Sequence, residues 1–227
     1  MPLLGKATML LAFDIVPEAI SEHDEWHTHE HLPERLSIPG FLRGTRWVAL
    51  QERPRYLVLY EVESLDTLAS AAYLERLNHP TPWTTKMMPQ YRGMTRGLCS
   101  VVASSGFGMG HAGLLVRFKP ASGEGESRLS DWLCQDVVTQ LPNRAGIGSS
   151  HLLRGALTAQ MTNEQRIRGA DAGVDWALLI TGYSQDALQV VAENELSDVR
   201  FADHGATSVT TALYRTDYTL TSSEMGV

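Results

Sequence analysis

Alternating apolar positions place strands and helices in a fixed order along the first half of the chain. In residues 8–16 the side chains of Met9, Leu11, Phe13 and Ile15 form one apolar face, and Pro17 follows, which is typical of a strand. With the patterns downstream, we predict a strand at 8–16, a helix at 18–36, strands at 42–51 and 55–62, a helix at 64–77 and a strand at 94–103. This β-α-β-β-α-β order is that of the ferredoxin-like unit.

The same order restarts after a glycine-rich segment at residues 104–113. The second half predicts a strand at 114–119, a helix at 127–141, strands at 146–153 and 174–181, a helix at 184–196 and a strand at 206–218. An insertion at 154–173 separates its two middle strands. Thr162 and Gln165 have the spacing of a capping box, so we expect a helical turn within the insertion.

Matching landmarks indicate that the two halves are repeats of one unit. Pro17 and Pro120 each end a first strand, and Trp26 and Trp132 each lie within a first helix. We therefore predict an α+β fold in which two tandem ferredoxin-like repeats pack sheet to sheet as an intramolecular α+β barrel. The predicted organisation is repeat 1 at 1–104, a glycine-rich linker at 105–112, repeat 2 at 113–220 and a C-terminal tail at 221–227.

Composition narrows the class of protein. The 227 residues are 43% hydrophobic and 20% charged, as in globular domains. The net charge is −7 without a basic run, which argues against nucleic acid as a partner. Cys99 and Cys134 are the two cysteines, one in each half, so we expect a cytoplasmic protein without disulfides. No apolar stretch reaches membrane-spanning length, and a membrane is not expected as a partner.

The segment EWHTHEHLPERLSIPGF at residues 25–41 holds the candidate chemistry. His27 and His31 are four apart and share a helix face, whereas His29 points elsewhere and is expected to be solvated. Pro33 removes a helix hydrogen bond and is expected to kink the chain near His31. We take His31 as the candidate general acid or base, with His27 and Glu30 setting its orientation and pKa. A purely structural role for these histidines is the alternative.

Further residues could complete a substrate pocket around this cluster. The segment 79–91 is rich in proline, tryptophan and methionine and reads either as a packed loop or as an apolar lid. The candidate substrate-binding residues are Trp26, Arg35, Arg46, His79, Trp83 and Tyr91. The pattern leaves open which strand face carries Arg46, Trp47, Tyr56 and Tyr60.

Metal and haem sites are weaker alternatives. His27 and His31 could supply two metal ligands, but no second cluster of histidine and cysteine supplies the others, so no metal site is predicted. His79, His151 and His204 could each ligate haem, although no motif selects one of them. We therefore expect a protein without a bound cofactor.

The run HLPERLSIPGF at residues 31–41 resembles a signature of the dimeric α+β barrel superfamily, in its EthD-like and methylmuconolactone-isomerase-like branch. Members carry a helix histidine about eight residues before a Pro-Gly turn, and His31 matches it relative to Pro39 and Gly40. The resemblance implies an α+β barrel; members include isomerases, cofactor-free oxygenases, polyketide cyclases, dehydratases and haem enzymes. Here two units are fused, and the second lacks the histidines, which favours one site in repeat 1.

Together these features predict an enzyme that isomerises, cyclises or eliminates at an activated C–H of a small organic molecule, such as an aromatic or lactone compound. The absence of a nucleophile motif argues against hydrolysis. A non-catalytic ligand-binding or stress-related barrel is the competing prediction, and a haem-binding oxygenase or peroxidase-like protein is a third. A homodimer of the two-repeat chain is left open.

Overall fold

Eight long antiparallel strands close into a barrel in the computed structural model, which describes residues 3–51, 54–156, 162–169 and 171–226. The strands are β1 (Ala7–Ile15), β2 (Phe41–Ala49), β3 (Tyr56–Val62), β4 (Tyr91–Gly106), β5 (Ala112–Pro120), β6 (Ile147–Gly155), β7 (Ala172–Gly173), β8 (Trp176–Gly182) and β9 (Ala206–Thr221). Around the barrel the order is β1-β3-β2-β9-β5-β8-β6-β4, and β4 pairs back with β1. The two-residue β7 runs parallel to β4 and adds to its outer edge.

Helices cover the outside of each half of the barrel. They are α1 (Ile20–Trp26), α2 (Leu32–Leu36), α3 (Ala71–Asn78), α4 (Pro82–Met87), α5 (Glu124–Trp132), α6 (Val138–Gln140), α7 (Asn163–Arg168), α8 (Gln185–Asn194) and α9 (Asp198–Asp203). Single 3-10 turns occur at Pro17–Ala19, Leu65–Ala69, Met88–Gln90, Leu141–Asn143 and Ser222–Met225. None of the helices in the described ranges is long and apolar enough to cross a bilayer.

The strand order confirms the predicted pair of ferredoxin-like units. Repeat 1 has the order β4-β1-β3-β2, which is fourth, first, third and second along its chain. Repeat 2 has the same order of its own long strands, β9-β5-β8-β6. The repeats join where β2 pairs with β9 and where β6 pairs with β4, both antiparallel. The chain therefore forms within one molecule the barrel that two single units would otherwise form.

Residue alternation along each strand separates the barrel interior from the helix-covered face. Met9, Phe13 and Ile15 pack beneath the helices of repeat 1, whereas Leu10 packs inside the barrel, as the period of β1 predicts. Side chains from both repeats fill the interior: Leu10, Trp47, Leu57, Leu59, Leu115, Leu153, Leu179 and Tyr214. The barrel is thus a packed core, and candidate sites lie on its outer, helix-covered face.

A π-helical turn interrupts the first helix of each repeat directly after its tryptophan. In repeat 1 the turn is His27–His31, and the N–H of Leu32 donates to the carbonyl of His27, five residues back. In repeat 2 the turn is Leu133–Val137. The helix is irregular at His31, as expected, but repeat 2 forms the same turn without a proline at the position equivalent to Pro33, so a proline is not required for it. Such turns insert one extra residue and often lie at functional sites.

Other local predictions need smaller corrections. The predicted helix at 64–77 is a 3-10 turn followed by α3, and the side chain of Ser70 caps α3. The segment 79–91 is not irregular, because Thr81 caps α4 within it. The capping box of Thr162 and Gln165 is confirmed at the start of α7. Residues 157–161 and 170 of the predicted insertion lie outside the described residues.

Candidate functional site

Three buried histidines form a ladder between the first helix of repeat 1 and the sheet. His23, His27 and His31 follow one another at intervals of four, with ring centroids 5.5 Å and 5.7 Å apart. Their exposed fractions are 0%, 1% and 7%. Sequence reasoning missed His23, although it lies four residues before His27 on the same stripe, which was the available signal.

Hydrogen bonds define the tautomers of the first two rings. His23 Nδ1 donates to the carboxylate of Asp24 at 3.1 Å, which leaves Nε2 to accept from the Tyr91 hydroxyl at 3.4 Å. Arg46 can only donate, so His27 Nδ1 accepts from it at 3.3 Å, and His27 Nε2 then donates to the Tyr60 hydroxyl at 3.4 Å. Both rings are therefore satisfied as neutral imidazoles.

His31 differs from His23 and His27 because its Nδ1 makes no hydrogen bond to the described residues. This nitrogen is buried. The ring packs on Trp26, with centroids 4.4 Å apart, a contact that the π-helical turn makes at a spacing of five. A buried nitrogen without a partner costs stability, so it marks a position where a water or a ligand would bind.

Burial keeps the whole ladder uncharged near neutral pH. Desolvation lowers the pKa of His23, and it lowers the pKa values of His27 and His31 far below the ordinary histidine value. The positive charge of Arg35 further lowers the pKa of His31. Neutral His31 can accept a proton, but the resulting charge would have to be stabilised by an anion.

We expect acid to destabilise this protein from about pH 6.5 downward. The unfolded chain protonates its histidines there, whereas His23, His27 and His31 stay neutral when folded, so the unfolded state binds more protons and the free energy of unfolding falls. Each histidine contributes up to about 1.4 kcal/mol per pH unit. Buried His151, whose pKa is lowered to about 3 by desolvation, extends the loss to that pH.

Urea unfolding followed by tryptophan fluorescence at several pH values between about 7.5 and 5 measures this slope. A free energy of unfolding that stays constant over that range would show that the histidines are protonated in the folded state, contrary to their burial.

A cavity of about 30 Å³ lies at the end of the ladder beside His31. Its other walls are Met9, Leu11, Arg35, Tyr73, Leu77 and Arg96 from repeat 1, and Thr162, Glu164, Gln165 and Arg168 from repeat 2. This volume holds water but no organic molecule. The cavity is small and polar, and a larger one of about 270 Å³ lies elsewhere on repeat 1, beside Ile38 and Phe41.

Arg35 is the charged centre of this cavity. It is 1% exposed, and its guanidinium donates to Glu164 at 2.6 Å and to Glu34 at 3.0 Å. Burial alone would lower its pKa, but the carboxylates of Glu164 and Glu34 together with the nearby Tyr73 and Tyr60 more than offset this, so the pKa lies above its ordinary value. Arg35 is therefore a permanent buried cation whose principal partner comes from the other repeat.

The structure gives Glu30 a different environment from the one predicted. Its carboxylate accepts from Trp26 Nε1 at 3.1 Å and from the hydroxyls of Thr81 and Thr84 at 2.5 Å and 3.4 Å. Its hydrogen bonds tie the π-helical turn to the start of α4 and do not include His31. Trp26 is fully buried and acts as packing for the ladder.

The predicted residues of the 79–91 segment separate into two groups. Tyr91 is buried and bonds to His23, so it belongs to the ladder. His79 is exposed and pairs with Glu75 at 3.0 Å, and Trp83 donates to Glu22 at 3.2 Å, so neither lines the cavity of His31. The segment packs over repeat 1 beside the ladder and does not cover the cavity, which helix α7 closes.

The strand faces, which the sequence left open, are settled by the contacts. Arg46, Tyr56 and Tyr60 lie on the helix-covered face, where Tyr56 donates to Asp24 at 2.8 Å. Trp47 lies inside the barrel. Arg46 is held by Asp217 at 2.7 Å and by His27, which places it in the middle of the ladder and away from the cavity.

Metal and haem do not fit this arrangement. Within the described ranges, no group of three histidine, cysteine, aspartate or glutamate side chains is placed to hold a metal ion. The cavity at His31 is far too small for haem. Among the other candidates, His151 is bonded to Ser104 and Ser149 inside the barrel, and His204 stacks on Trp132 at 4.1 Å.

Comparison with known proteins gives a fold but no family. Neither a family model nor a curated protein matches this chain. A solved structure described as an anthrone oxidase-like protein aligns with a TM-score of 0.70 at 14% identity, covering 99% of this chain and 97% of that one.

Two further solved structures align at lower scores. A provisionally assigned monooxygenase from Lactobacillus acidophilus gives 0.60 at 10% identity, covering 95% and 96% of the two chains. A heme-binding protein from Thermus thermophilus gives 0.54 at 9%, covering 99% and 96%. These likenesses support the ferredoxin-like α+β barrel. They do not distinguish the EthD-like branch, which stays a prediction.

Proposed function

We propose that this chain is an enzyme that moves a proton on a small organic acid without a bound cofactor, in a site that forms when the cavity of about 30 Å³ at His31 opens. His31 accepts the proton from an activated C–H group, and Arg35 holds the negative charge of the substrate. The single observation that carries the proposal is the neutral ring of His31, with its unpartnered Nδ1, at the wall of the same cavity as the buried cation Arg35.

The electrostatics select an anionic substrate. Burial lowers the pKa of His31, and the nearby positive charge of Arg35, which protonated His31 would face, lowers it further. A carboxylate, and then the enolate or carbanion left by proton removal, would compensate that charge and raise the pKa of His31 during the reaction. The expected chemistry is isomerisation, cyclisation or elimination next to an acidifying group.

The structural neighbours add one related outcome. Two of them are described as an anthrone oxidase-like protein and as a provisionally assigned monooxygenase. Removal of a proton also produces the electron-rich carbon that could react with dioxygen. Oxygen uptake that depends on His31 would show that the deprotonated substrate goes on to react with dioxygen.

The main alternative is a protein that binds a small ligand and does not transform it. The small volume of the cavity and its closure by α7 favour this alternative. The two functions differ in proton exchange, because a binding protein leaves the C–H bonds of its ligand intact.

Exchange of substrate C–H for solvent deuterium, followed by proton NMR, tests the proposal. The panel would consist of aromatic and aliphatic acids with an acidic C–H, including keto acids and lactone acids. We expect the protein to accelerate exchange in at least one anionic member and not in the matching neutral ester. Binding of the acids without any accelerated exchange would contradict the enzymatic proposal and support the alternative.

A further inference from the structure

The insertion of repeat 2 places a carboxylate in the cavity of repeat 1. Glu164, on α7, is 3% exposed and reaches Arg35 at 2.6 Å across a sequence separation of 129 residues. The same short helix and its capping residue Thr162 also contribute to the cavity wall, through Thr162, Gln165 and Arg168. Helix α7 therefore both closes the cavity and supplies a carboxylate that pairs with Arg35.

Polar contacts hold α7 in place. Asn163 Nδ2 donates to the carbonyl of Asn78 at 2.7 Å, and Arg168, which lies 5.9 Å from the centroid of the Tyr91 ring, pairs with Asp171 at 2.6 Å. Within the described ranges, no residue of α7 belongs to an apolar core cluster. A helix docked by ion pairs and hydrogen bonds can leave its place without exposing a large apolar surface.

A second arginine makes the cavity more attractive for an anion. Arg96 is half-buried at the cavity wall, and its Nη2 donates to the Tyr73 hydroxyl at 3.5 Å. Tyr73 also lies against Arg35, with 5.7 Å from the guanidinium carbon to the ring centroid. No ion pair of Arg96 occurs among the residues described. Removal of Glu164 would thus leave two cations close to Tyr73, with Glu34 as the remaining acid on Arg35.

We infer that Glu164 occupies the position of a substrate carboxylate, and that a small organic carboxylate binds Arg35 by displacing Glu164 together with α7. This inference rests on the site of the proposed function and adds its substrate class and its gate. Glu164 acts as an intramolecular competitor, so the apparent Kd for a carboxylate exceeds the intrinsic Kd by the inverse of the open fraction.

Glu164→Gln tests this competition with benzoate as the probe and benzamide as its neutral counterpart. The amide cannot pair with Arg35 as a carboxylate does, so the closed form loses its main ion pair. We expect the Kd for benzoate, measured by isothermal titration calorimetry on the full chain, to fall by about tenfold or more relative to the unsubstituted protein. Benzamide has no charge to pair with Arg35, so it should bind far more weakly than benzoate to both proteins.

Glu22→Gln is the matched control, because it breaks the exposed ion pair with Lys86 by the same chemical change. Its Kd for benzoate should equal that of the unsubstituted protein. Equal benzoate affinities in the Glu164→Gln, Glu22→Gln and unsubstituted proteins would overturn the inference and leave Glu164 as a structural partner of Arg35.

Hydrogen exchange on the unsubstituted protein keeps the test valid if Glu164→Gln folds poorly. Saturating benzoate should speed amide exchange across α7 and leave α8 unchanged, whereas slower or unaltered exchange in α7 would contradict displacement.

The outcomes separate the proposed enzymatic function from the proposed displacement of α7. Benzoate binding that opens α7 without any C–H exchange in the acid panel would refute the enzyme alone, whereas His31-dependent exchange with no effect of Glu164 would refute the gate alone.

Discussion

Replacement of Arg35 by methionine is expected to lower the free energy of unfolding by about 3–5 kcal/mol. The substitution keeps much of the side-chain volume but leaves the carboxylate of Glu164 buried at 3% exposure without its partner. Glu34 loses its 3.0 Å bond as well. Urea unfolding at neutral pH measures the loss, and hydrogen exchange shows whether α7 detaches to return Glu164 to water.

The double variant Arg35→Met with Glu164→Met separates a lost ion pair from lost packing. Both charges are then absent, so most of the stability should return, because a buried pair replaced by apolar groups is often neutral. If Arg35→Met alone costs less than about 1 kcal/mol, the pair is not buried in solution as described. A double variant no more stable than the single one would show that packing of the arginine stem carries the effect.

Apolar periodicity predicted the elements, and their repeated order predicted two ferredoxin-like units that close into a barrel. Proline at the end of β1 and β5 and tryptophan in α1 and α5 placed the repeats in register. The π-helical turns were not predictable, because the extra residue leaves no local composition signal. The repeat 2 turn forms without a proline equivalent to Pro33, so no proline signal marks both turns.

The site was partly predictable for the same reason. Spacing of four residues along one helix stripe identified His27 and His31, and the same rule applied one step earlier finds His23. Glu164 could not be found in this way, because its contact with Arg35 joins residues 129 apart through an insertion without periodic pattern. Its position depends on how the two repeats close the barrel.

Substitution of His31 by glutamine is expected to slow C–H exchange by roughly 10²–10⁴-fold, the usual contribution of a general acid or base. Glutamine preserves the helix and fills a similar volume, but it cannot take up the proton. The fold should persist, because the His31 ring makes no hydrogen bond at Nδ1 that the variant would lose.

His29→Gln is the matched control, since this side chain is 68% exposed and pairs only with Glu25 on the helix surface. The two substituted positions are two residues apart in the same helical segment, but only His31 lines the cavity. Any general effect of glutamine on the helix would appear in both.

The most direct test of the account is therefore the rate of deuterium incorporation into the best acid of the panel by the unsubstituted, His31→Gln and His29→Gln proteins, at equal saturation with that acid. The account predicts that the rate falls by roughly 10²–10⁴-fold in His31→Gln and stays within about twofold in His29→Gln. Equal rates in His31→Gln and the unsubstituted protein would contradict the assignment of His31 as the group that moves the proton.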